Sequence, residues 1–143
     1  MAARLPTYRK TLLGGLGLML AAPVIADDVS DSDRILCAMQ SATICVDTND
    51  CFAVTPQEID LPQFVIIDRD KKTVSTTKNA QRQRVTQVNN VIEEEDRLVM
   101  QGIERGRAYS FVIEQDLGLL TAALARDGVT LSVFGACTDA DTD

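Results

Sequence analysis

Four cysteines are the residues of this chain with the clearest covalent chemistry. No two of them form a C-x-x-C pair and the sequence has no histidine, so a redox-active dithiol and a zinc site are poorly supported. Four cysteines in an exported chain predict two disulfides, for which three pairings exist. We expect Cys45 to pair with Cys51, because the turn-forming residues 47–50 lie between them. Cys37 then pairs with Cys137, which ties the last strand to the first.

A basic segment is the second candidate for chemistry. No acidic residue lies between its first and last cationic side chains, which are Lys71, Lys72, Lys78, Arg82 and Arg84. One interpretation is a docking site for an anionic ligand or an acidic partner protein, since guanidinium groups pair well with carboxylates and phosphates. The other is an exposed edge strand and loop, where cationic side chains discourage pairing with other sheets. Arg105 and Arg107 would add to the segment if their hairpin lies nearby.

Catalytic chemistry has little support in the residue types present. Without histidine, the usual base for a serine or cysteine nucleophile is missing. A pair of carboxylates could hydrolyse a glycoside, but the chain has no tryptophan to form a sugar platform. The acidic run 93–96 is better explained as a solvated hairpin tip than as a cation site, because successive strand residues point in opposite directions. We expect no catalytic residue, no metal and no cofactor.

Residues 1–26 have the three-part pattern of a cleaved export signal. Arg4, Arg9 and Lys10 form a cationic start, the mostly apolar run 11–22 follows, and small residues lead to a cleavage site after Ala26. The apolar run is shorter than the roughly 20 residues needed to span a bilayer, so we expect no membrane span after cleavage. The pattern predicts a periplasmic or secreted protein, in a compartment where disulfides persist.

The remaining 117 residues predict one domain with one core. Three of the 14 basic residues leave with the signal and none of the 21 acidic residues do, which gives a net charge of −10. Such a charge argues against nucleic acid and against anionic lipid as partners. We expect a disordered acidic lead-in at 27–33, a single β domain at 34–138, and a disordered tail at 139–143.

Short alternating runs joined by tight turns predict the fold. Between residues 84 and 137, runs of about eight residues recur every ten or eleven, and Asp127-Gly128 is a strong hairpin signal. Tyr109, Phe111 and Ile113 fall on one predicted face. Connections of two to four residues are too short for helical crossovers, so successive strands must be antiparallel neighbours.

Upstream, runs 64–68 and 73–77 predict another hairpin, while 35–46 fits either a strand or a short helix. We therefore predict an all-β protein, an antiparallel up-and-down meander of about seven to eight strands. A flat sheet would leave two open edges, so the meander should curl into a small closed or partly open barrel. A curled β-sandwich is the alternative.

These features predict a non-enzymatic, exported accessory or binding protein that meets another periplasmic protein or a small ligand. Two alternatives are a secreted inhibitor-like barrel and a carboxylate-dependent hydrolase. Converging carboxylates with raised pKa values would favour the hydrolase. An ordered N-terminal segment projecting from the barrel would favour the inhibitor, and a basic patch beside an open apolar groove would favour ligand or partner binding.

Overall fold

The structure is a computed structural model, in which residues 27–47 and 50–141 are described. The predicted signal 1–26, with its cleavage site at Ala26, lies outside the described residues. The elements, in chain order, are β1 (Arg34–Val46), β2 (Asp50–Val54), the short 3₁₀ turn Gln57–Ile59, β3 (Phe64–Asp68), β4 (Thr73–Thr76), β5 (Val85–Gln87), β6 (Asn90–Glu94), β7 (Arg97–Glu104), β8 (Arg107–Glu114), β9 (Leu119–Arg126) and β10 (Val129–Asp139).

All ten strands belong to one antiparallel sheet, and its order is β5-β4-β3-β1-β10-β9-β8-β7-β6. β2 is not part of this linear order. It pairs with the second half of β1, whereas β3 pairs with the first half. The sheet curls into a half-barrel, which confirms the predicted all-β meander. β1 is a strand over its whole length, so the helix alternative for 35–46 is wrong.

The structure has more strands than the seven to eight predicted. One reason is that the β-rich run 85–92, predicted as a single strand, is divided between β5 and β6. β5 pairs with β4, and β6 pairs with β7. At the change of partner, the Val88 N–H bonds the Lys72 carbonyl at 2.8 Å and the Asn89 N–H bonds the Gln101 carbonyl at 3.0 Å. Because β4 and β7 lie towards opposite ends of the sheet order, this stretch brings the two ends together.

Because, among the described strands, β5 pairs only with β4 and β6 only with β7, a gap in the ladder remains on each side of Val88. Side-chain bonds bridge both gaps. The Thr86 hydroxyl donates to Glu104 Oε2 at 3.2 Å, joining β5 to β7. The Ile103 N–H donates to Asn89 Oδ1 at 2.8 Å. On the other side, Arg69 Nη2 lies 3.1 Å from Glu93 Oε1 and connects the β3–β4 turn to β6. The curled shape therefore depends on side-chain bonds as well as on the ladder.

The core is the concave side of the sheet, and in β8 it follows the predicted alternation. Tyr109, Phe111 and Ile113 are all buried. The fully buried side chains of the same core are mostly aliphatic, and they include Ile35, Ile67, Leu98, Met100, Leu120 and Val133. Each such burial contributes roughly 1.5 to 3 kcal/mol.

Both predicted disulfides are confirmed, and each joins residues directly opposite one another on paired strands. Cys37 and Cys137 face each other across β1 and β10, inside the core. Cys45 and Cys51 face each other across the β1–β2 hairpin. The first bond thus fixes a long-range pairing and the second a local one.

β1 bends at a register shift between Met39 and Ser41, where it runs beside β10. Gly135 lies opposite Met39, and a Cβ at Gly135 would overlap the Ala38 carbonyl oxygen. An extra residue in one strand increases the local bend, and the missing side chain in the other leaves space for it. The pair of features turns β1 around the core.

Residues 27–33 pack against one end of the half-barrel, which differs from the predicted disordered lead-in. Val29 is fully buried, and its N–H donates to the Gln115 carbonyl at 2.8 Å. The Ser32 hydroxyl donates to Asp139 Oδ2 at 2.9 Å. The acidic composition of this segment gave no signal for order, because the packing depends on one apolar side chain and on backbone groups.

The predicted disordered tail also differs in the part that the structure describes. Asp139 ends β10, and the Ala140 N–H donates to the Arg34 carbonyl at 2.9 Å. Arg34 Nη1 also lies 3.0 Å from Asp141 Oδ1. Residues 142–143 lie outside the described part of the chain.

Arg69 holds the packed segment 27–33 in place. Its Nη1 donates to the carbonyl oxygens of Ser30, at 2.9 Å, and Ser32, at 3.2 Å, while Nη2 pairs with Glu93. The side chain is only 16% exposed. One guanidinium therefore joins three separate parts of the chain at the closed end of the half-barrel.

The two disulfides should contribute unequally to stability. Their cysteines are separated by 100 residues in Cys37–Cys137 and by 6 in Cys45–Cys51. By loop-closure entropy, the longer loop predicts a loss of about 4 to 5 kcal/mol for the double alanine variant C37A/C137A, against about 2 kcal/mol for C45A/C51A. Urea unfolding of the two variants measures both losses. Equal losses would contradict this account.

Arg69→Met should destabilise the protein by about 2 kcal/mol, because it removes charge-assisted hydrogen bonds to two carbonyl oxygens. Arg97→Met is the matched control, since Arg97 makes only an exposed ion pair with Asp96 at 3.5 Å. Urea unfolding gives the stability, and hydrogen exchange at the Val29 amide reports release of segment 27–33. If both variants leave that amide equally protected, Arg69 does not hold the segment.

Candidate functional site

A cavity of about 90 Å³ lies inside the half-barrel at the end opposite segment 27–33. We call it the mouth cavity. Its walls are apolar and come from several strands, with Met39, Val65, Val74, Phe111, Ala122 and Val133 among them. Its charged lining residues are Arg84, Glu104 and Arg107, and all three stand at or just beyond the ends of strands. The cavity is thus apolar within and charged at its rim.

The β7–β8 hairpin places two of the rim charges. Glu104 ends β7 on the same side as Leu98 and Met100, and Arg107 begins β8 on the side of Tyr109. The turn between them has positive φ at Arg105 (48°) and Gly106 (76°), as a tight two-residue hairpin requires. Glu104 and Arg107 are therefore directly opposite, with Arg107 Nη2 3.9 Å from Glu104 Oε2.

A groove lies next to the mouth cavity on the outside of the half-barrel, and we call it the outer groove. The groove has a volume of about 500 Å³ and lies between segments 57–64 and 76–84. The two cavities share Leu61, Pro62, Thr76 and Arg84 in their linings. The groove and the mouth cavity are therefore neighbours that share part of a wall.

Asp60 organises the charges of the outer groove. Its Oδ2 accepts from Arg82 Nη1 at 2.5 Å and from Arg84 Nη2 at 3.3 Å. Asp60 follows the 3₁₀ turn in a left-handed conformation with φ of 55°, which asparagine and aspartate tolerate better than most residues. Two guanidinium groups share one carboxylate, so this cluster keeps a net positive charge.

Side-chain bonds fix the two segments that form the groove. Gln83 Nε2 donates to the carbonyl oxygens of Thr77, Lys78 and Ala80, at 3.0, 3.0 and 3.2 Å. In the facing segment, Glu58 Oε2 accepts from the Thr55 N–H at 2.7 Å and from its hydroxyl at 2.9 Å. These bonds also lower the pKa of Glu58 below its usual value. The groove walls are thus held by local hydrogen bonds.

The structure does not bring the five predicted basic residues together. Lys71 and Lys72 lie in the β3–β4 turn, while Lys78, Arg82 and Arg84 follow the far end of β4. An extended strand separates the two groups, whereas the sequence pattern placed them in one segment. Of the five, Arg82 and Arg84 line the outer groove. A docking role for any of them stays a prediction.

Lys71 has a local partner instead. Its Nζ lies 2.6 Å from Asp68 Oδ2, and its N–H donates to Asp68 Oδ1 at 2.9 Å. The side-chain bond first, and the backbone bond second, lower the pKa of Asp68. The side chain of Asp68 is almost completely buried, so Lys71 stabilises its charge at the start of the turn.

Sequence reasoning missed Asp60 and Glu104, and it named Arg107 only on the condition that its hairpin lies near the basic segment. That condition holds for Arg84, since Arg84 and Arg107 line the same cavity. The strand alternation contained a signal for Arg107, because it has the parity of Tyr109 and Phe111. No comparable sequence signal marks Asp60, which reaches the site through a loop.

Tyr109 forms part of the mouth cavity wall and donates its hydroxyl hydrogen to the Gln87 carbonyl at 2.7 Å. Burial, and secondarily the negative charge of Glu104, raise the pKa of Tyr109 above its usual value. The only other tyrosine is Tyr8 in the predicted signal, and the chain has no tryptophan. After cleavage, Tyr109 would therefore be a single optical reporter of the cavity.

The described residues contain neither a metal-ligand cluster nor a membrane-spanning helix. Across 27–47 and 50–141, no group of three or more histidine, cysteine, aspartate or glutamate side chains could hold a metal ion. In the same residues, no helix is long and apolar enough to cross a membrane. Each of the two cavities has one carboxylate in its lining, Asp60 in the groove and Glu104 in the mouth.

Comparison with known proteins does not assign a function. No family model, no curated protein and no solved structure matches this chain. The candidate site therefore stands on its own geometry, which is an apolar cavity, a charged rim and a neighbouring groove.

The raised pKa of Tyr109 predicts a loss of stability in alkali. The unfolded chain gives up the phenol proton first, so stability present at neutral pH falls as pH rises from about 10 through the folded pKa. Tyr109→Phe should cost about 1 kcal/mol at pH 7, because the hydrogen bond to Gln87 is lost, and this deficit should shrink in alkali.

Urea unfolding of the wild-type protein and Tyr109→Phe at a series of pH values measures the change. Tyrosinate absorbance follows the titration directly in the wild-type protein. A deficit that stays constant from neutral pH into the alkaline range would show that burial does not perturb this phenol.

Proposed function

We propose that this protein is an exported, non-enzymatic binding protein that takes a small ligand at the mouth of its half-barrel. The observation that carries the proposal is the mouth cavity, which is apolar inside, charged at its rim and next to the outer groove. Ligand sites in proteins commonly combine apolar walls with a few polar groups that orient the ligand.

An unfilled volume in a small core favours a role in binding. Protein interiors are close-packed, and each void reduces stability by lost contacts. Ala122 is 1% exposed and lines the cavity at a position where a larger aliphatic side chain would fill part of the space. A cavity kept open at the accessible end of the half-barrel is what a binding site requires.

Export is supported by two independent features. Residues 1–26 have the pattern of a cleaved signal, and both disulfides are of a kind that persists in oxidising compartments. A periplasmic or secreted location agrees with both. The ligand would then be a molecule that the protein meets outside the cytoplasm.

The alternatives have weaker support. A hydrolase of the glycosidase type needs two carboxylates at one site, whereas the mouth cavity and the outer groove have one each. The carboxyl groups of Asp28, Glu58 and Asp68 have lowered pKa values, the opposite of what a general acid needs. An inhibitor with a projecting N-terminal segment is not favoured either, because residues 27–33 pack against the half-barrel.

A second periplasmic protein remains a second candidate partner. Phe64 lines the outer groove and is 41% exposed, beside the net positive cluster of Arg82, Arg84 and Asp60. An exposed aromatic side chain next to arginines is typical of contact surfaces between proteins. The small volume of the mouth cavity favours the small ligand as the first proposal.

Ala122→Val tests the proposal by filling the cavity, and Ala123→Val is the matched control on the outer face of the same strand. The protein is purified from its exported compartment, and bound small molecules are detected by native mass spectrometry. We expect a bound molecule with the wild-type protein and with Ala123→Val, and at least about a tenfold lower occupancy with Ala122→Val.

A solution probe accompanies this experiment. Titration with 1-butanol, followed by Tyr109 fluorescence, should give a saturable response that Ala122→Val abolishes and Ala123→Val retains. The proposal is wrong if neither measurement distinguishes the two variants while both unfold with wild-type cooperativity in urea.

A further inference from the structure

The rim of the mouth cavity contains guanidinium groups with unused hydrogen-bond donors. Arg84 uses one of its N–H groups in a long bond to Asp60, and the nearest carboxylate oxygen to Arg107 is 3.9 Å away, beyond hydrogen-bond distance. The two side chains are only 38% and 30% exposed. A guanidinium has five donors in a planar fork, so both groups can donate hydrogen bonds to a further acceptor.

The charge at this end of the half-barrel differs in sign from that of the whole protein. Three arginines and two carboxylates line the mouth cavity and the outer groove: Arg82, Arg84, Arg107, Asp60 and Glu104. Their sum is +1, on a chain whose net charge after signal cleavage would be −10. A single negative charge would neutralise the site.

The size of the mouth cavity limits how long the uncharged part of such a ligand can be. A volume of about 90 Å³ is roughly that of three water molecules in the liquid, so it holds a tail of about three carbon atoms. The interior walls are aliphatic and aromatic, and a polar tail would find few partners there. The cavity therefore fits a short apolar chain.

Together these features identify a ligand class. We infer that the mouth cavity binds a short-chain aliphatic monocarboxylate, with its carboxylate between Arg84 and Arg107 and its tail among Phe111, Ala122 and Val133. The inference rests on the proposed function and adds the chemistry of the ligand. Carboxylates suit this rim because guanidinium groups bind them through paired, charge-assisted hydrogen bonds.

Glu104 sets the charge that the site accepts. It stands opposite Arg107 and accepts a hydrogen bond from Thr86, so it stays at the rim and offsets one arginine. Arg84, Arg107 and Glu104 together give the mouth cavity a charge of +1, so the second negative charge of a dianion would have no cation to pair with and would be repelled by Glu104. The arrangement thus selects a monoanion over a dianion.

The experiment compares butyrate, 1-butanol and acetate as probes of the whole protein at fixed ionic strength, with Tyr109 fluorescence as the signal. Butyrate should bind at least about tenfold more tightly than 1-butanol, which has the tail without the charge. It should also bind at least about tenfold more tightly than acetate, which has the charge with almost no tail.

Arg107→Gln tests the role of the rim, and Arg105→Gln is the matched control from the same turn, because Arg105 lines neither cavity. Arg107→Gln should lower the affinity for butyrate by about tenfold and leave that for 1-butanol unchanged. Arg105→Gln, with the same change in net charge, should leave both affinities unchanged.

The outcomes separate the two proposals. If 1-butanol and butyrate bind equally well, or if Arg105→Gln weakens butyrate as much as Arg107→Gln does, the monocarboxylate inference is wrong and the binding function stands. If acetate binds as well as butyrate, the tail does not occupy the cavity and the inference is also wrong. If no probe gives a saturable response, the proposed function fails as well.

Discussion

The pairing of β1 with β10 is the contact on which the rest of this protein depends. It joins a strand near the start of the folded region to the last one, and the Cys37–Cys137 bond fixes it inside the core. With β1 and β10 adjacent, the remaining strands form two arms of the sheet, one through β3 and one through β9. Long-range pairings of this kind are slow to form, because chain entropy is lost before contacts are gained.

The candidate site is a consequence of how the two arms meet. The arms come together at residues 85–94, where the pairing partner changes from β4 to β7. The mouth cavity lies beside the β5 part of this stretch. Thr86 and Glu104 bond across the gap there. The inward-facing positions of β7 and β8 continue past the core to the strand ends, so the same parity that buries Phe111 brings Arg107 to the rim.

Local patterns were sufficient to predict much of the fold. The runs of about eight residues between 84 and 137 form hairpins, and the turn at Asp127-Gly128 has positive φ at both residues, as predicted for a tight hairpin. The disulfide pairing followed from the turn between Cys45 and Cys51. These features depend on residues close in sequence, which is why single-sequence reasoning reached them.

Features that depend on distant contacts were not predictable in the same way. The exchange at Val88 requires two partners that lie at opposite ends of the sheet, and nothing in the run 85–92 marks it. Segment 27–33 is polar in composition, yet Val29 is buried where Arg69 holds the backbone. The basic segment was predicted as one surface, and the four-residue strand β4 divides it.

The candidate site could be predicted only in part from the sequence. Arg84 and Arg107 were named for their charge, but nothing in the sequence showed that an apolar cavity lies between them. Asp60 enters through a loop after a 3₁₀ turn, and its position depends on tertiary packing. Charge patterns pointed to Arg82 and Arg84, which line the outer groove, whereas the cavity and its walls depend on the assembled sheet.

The short length of β5 has a consequence for how molecules enter and leave the interior. β5 has three residues, it forms part of the cavity wall through Thr86, and only β4 pairs with it along its length. Separating β5 would break this three-residue ladder and the Thr86–Glu104 and Tyr109–Gln87 hydrogen bonds, which needs less free energy than global unfolding. Brief detachment of this one strand would widen the opening while the disulfide-linked centre of the sheet stays intact, so exchange with solvent is set by a local equilibrium.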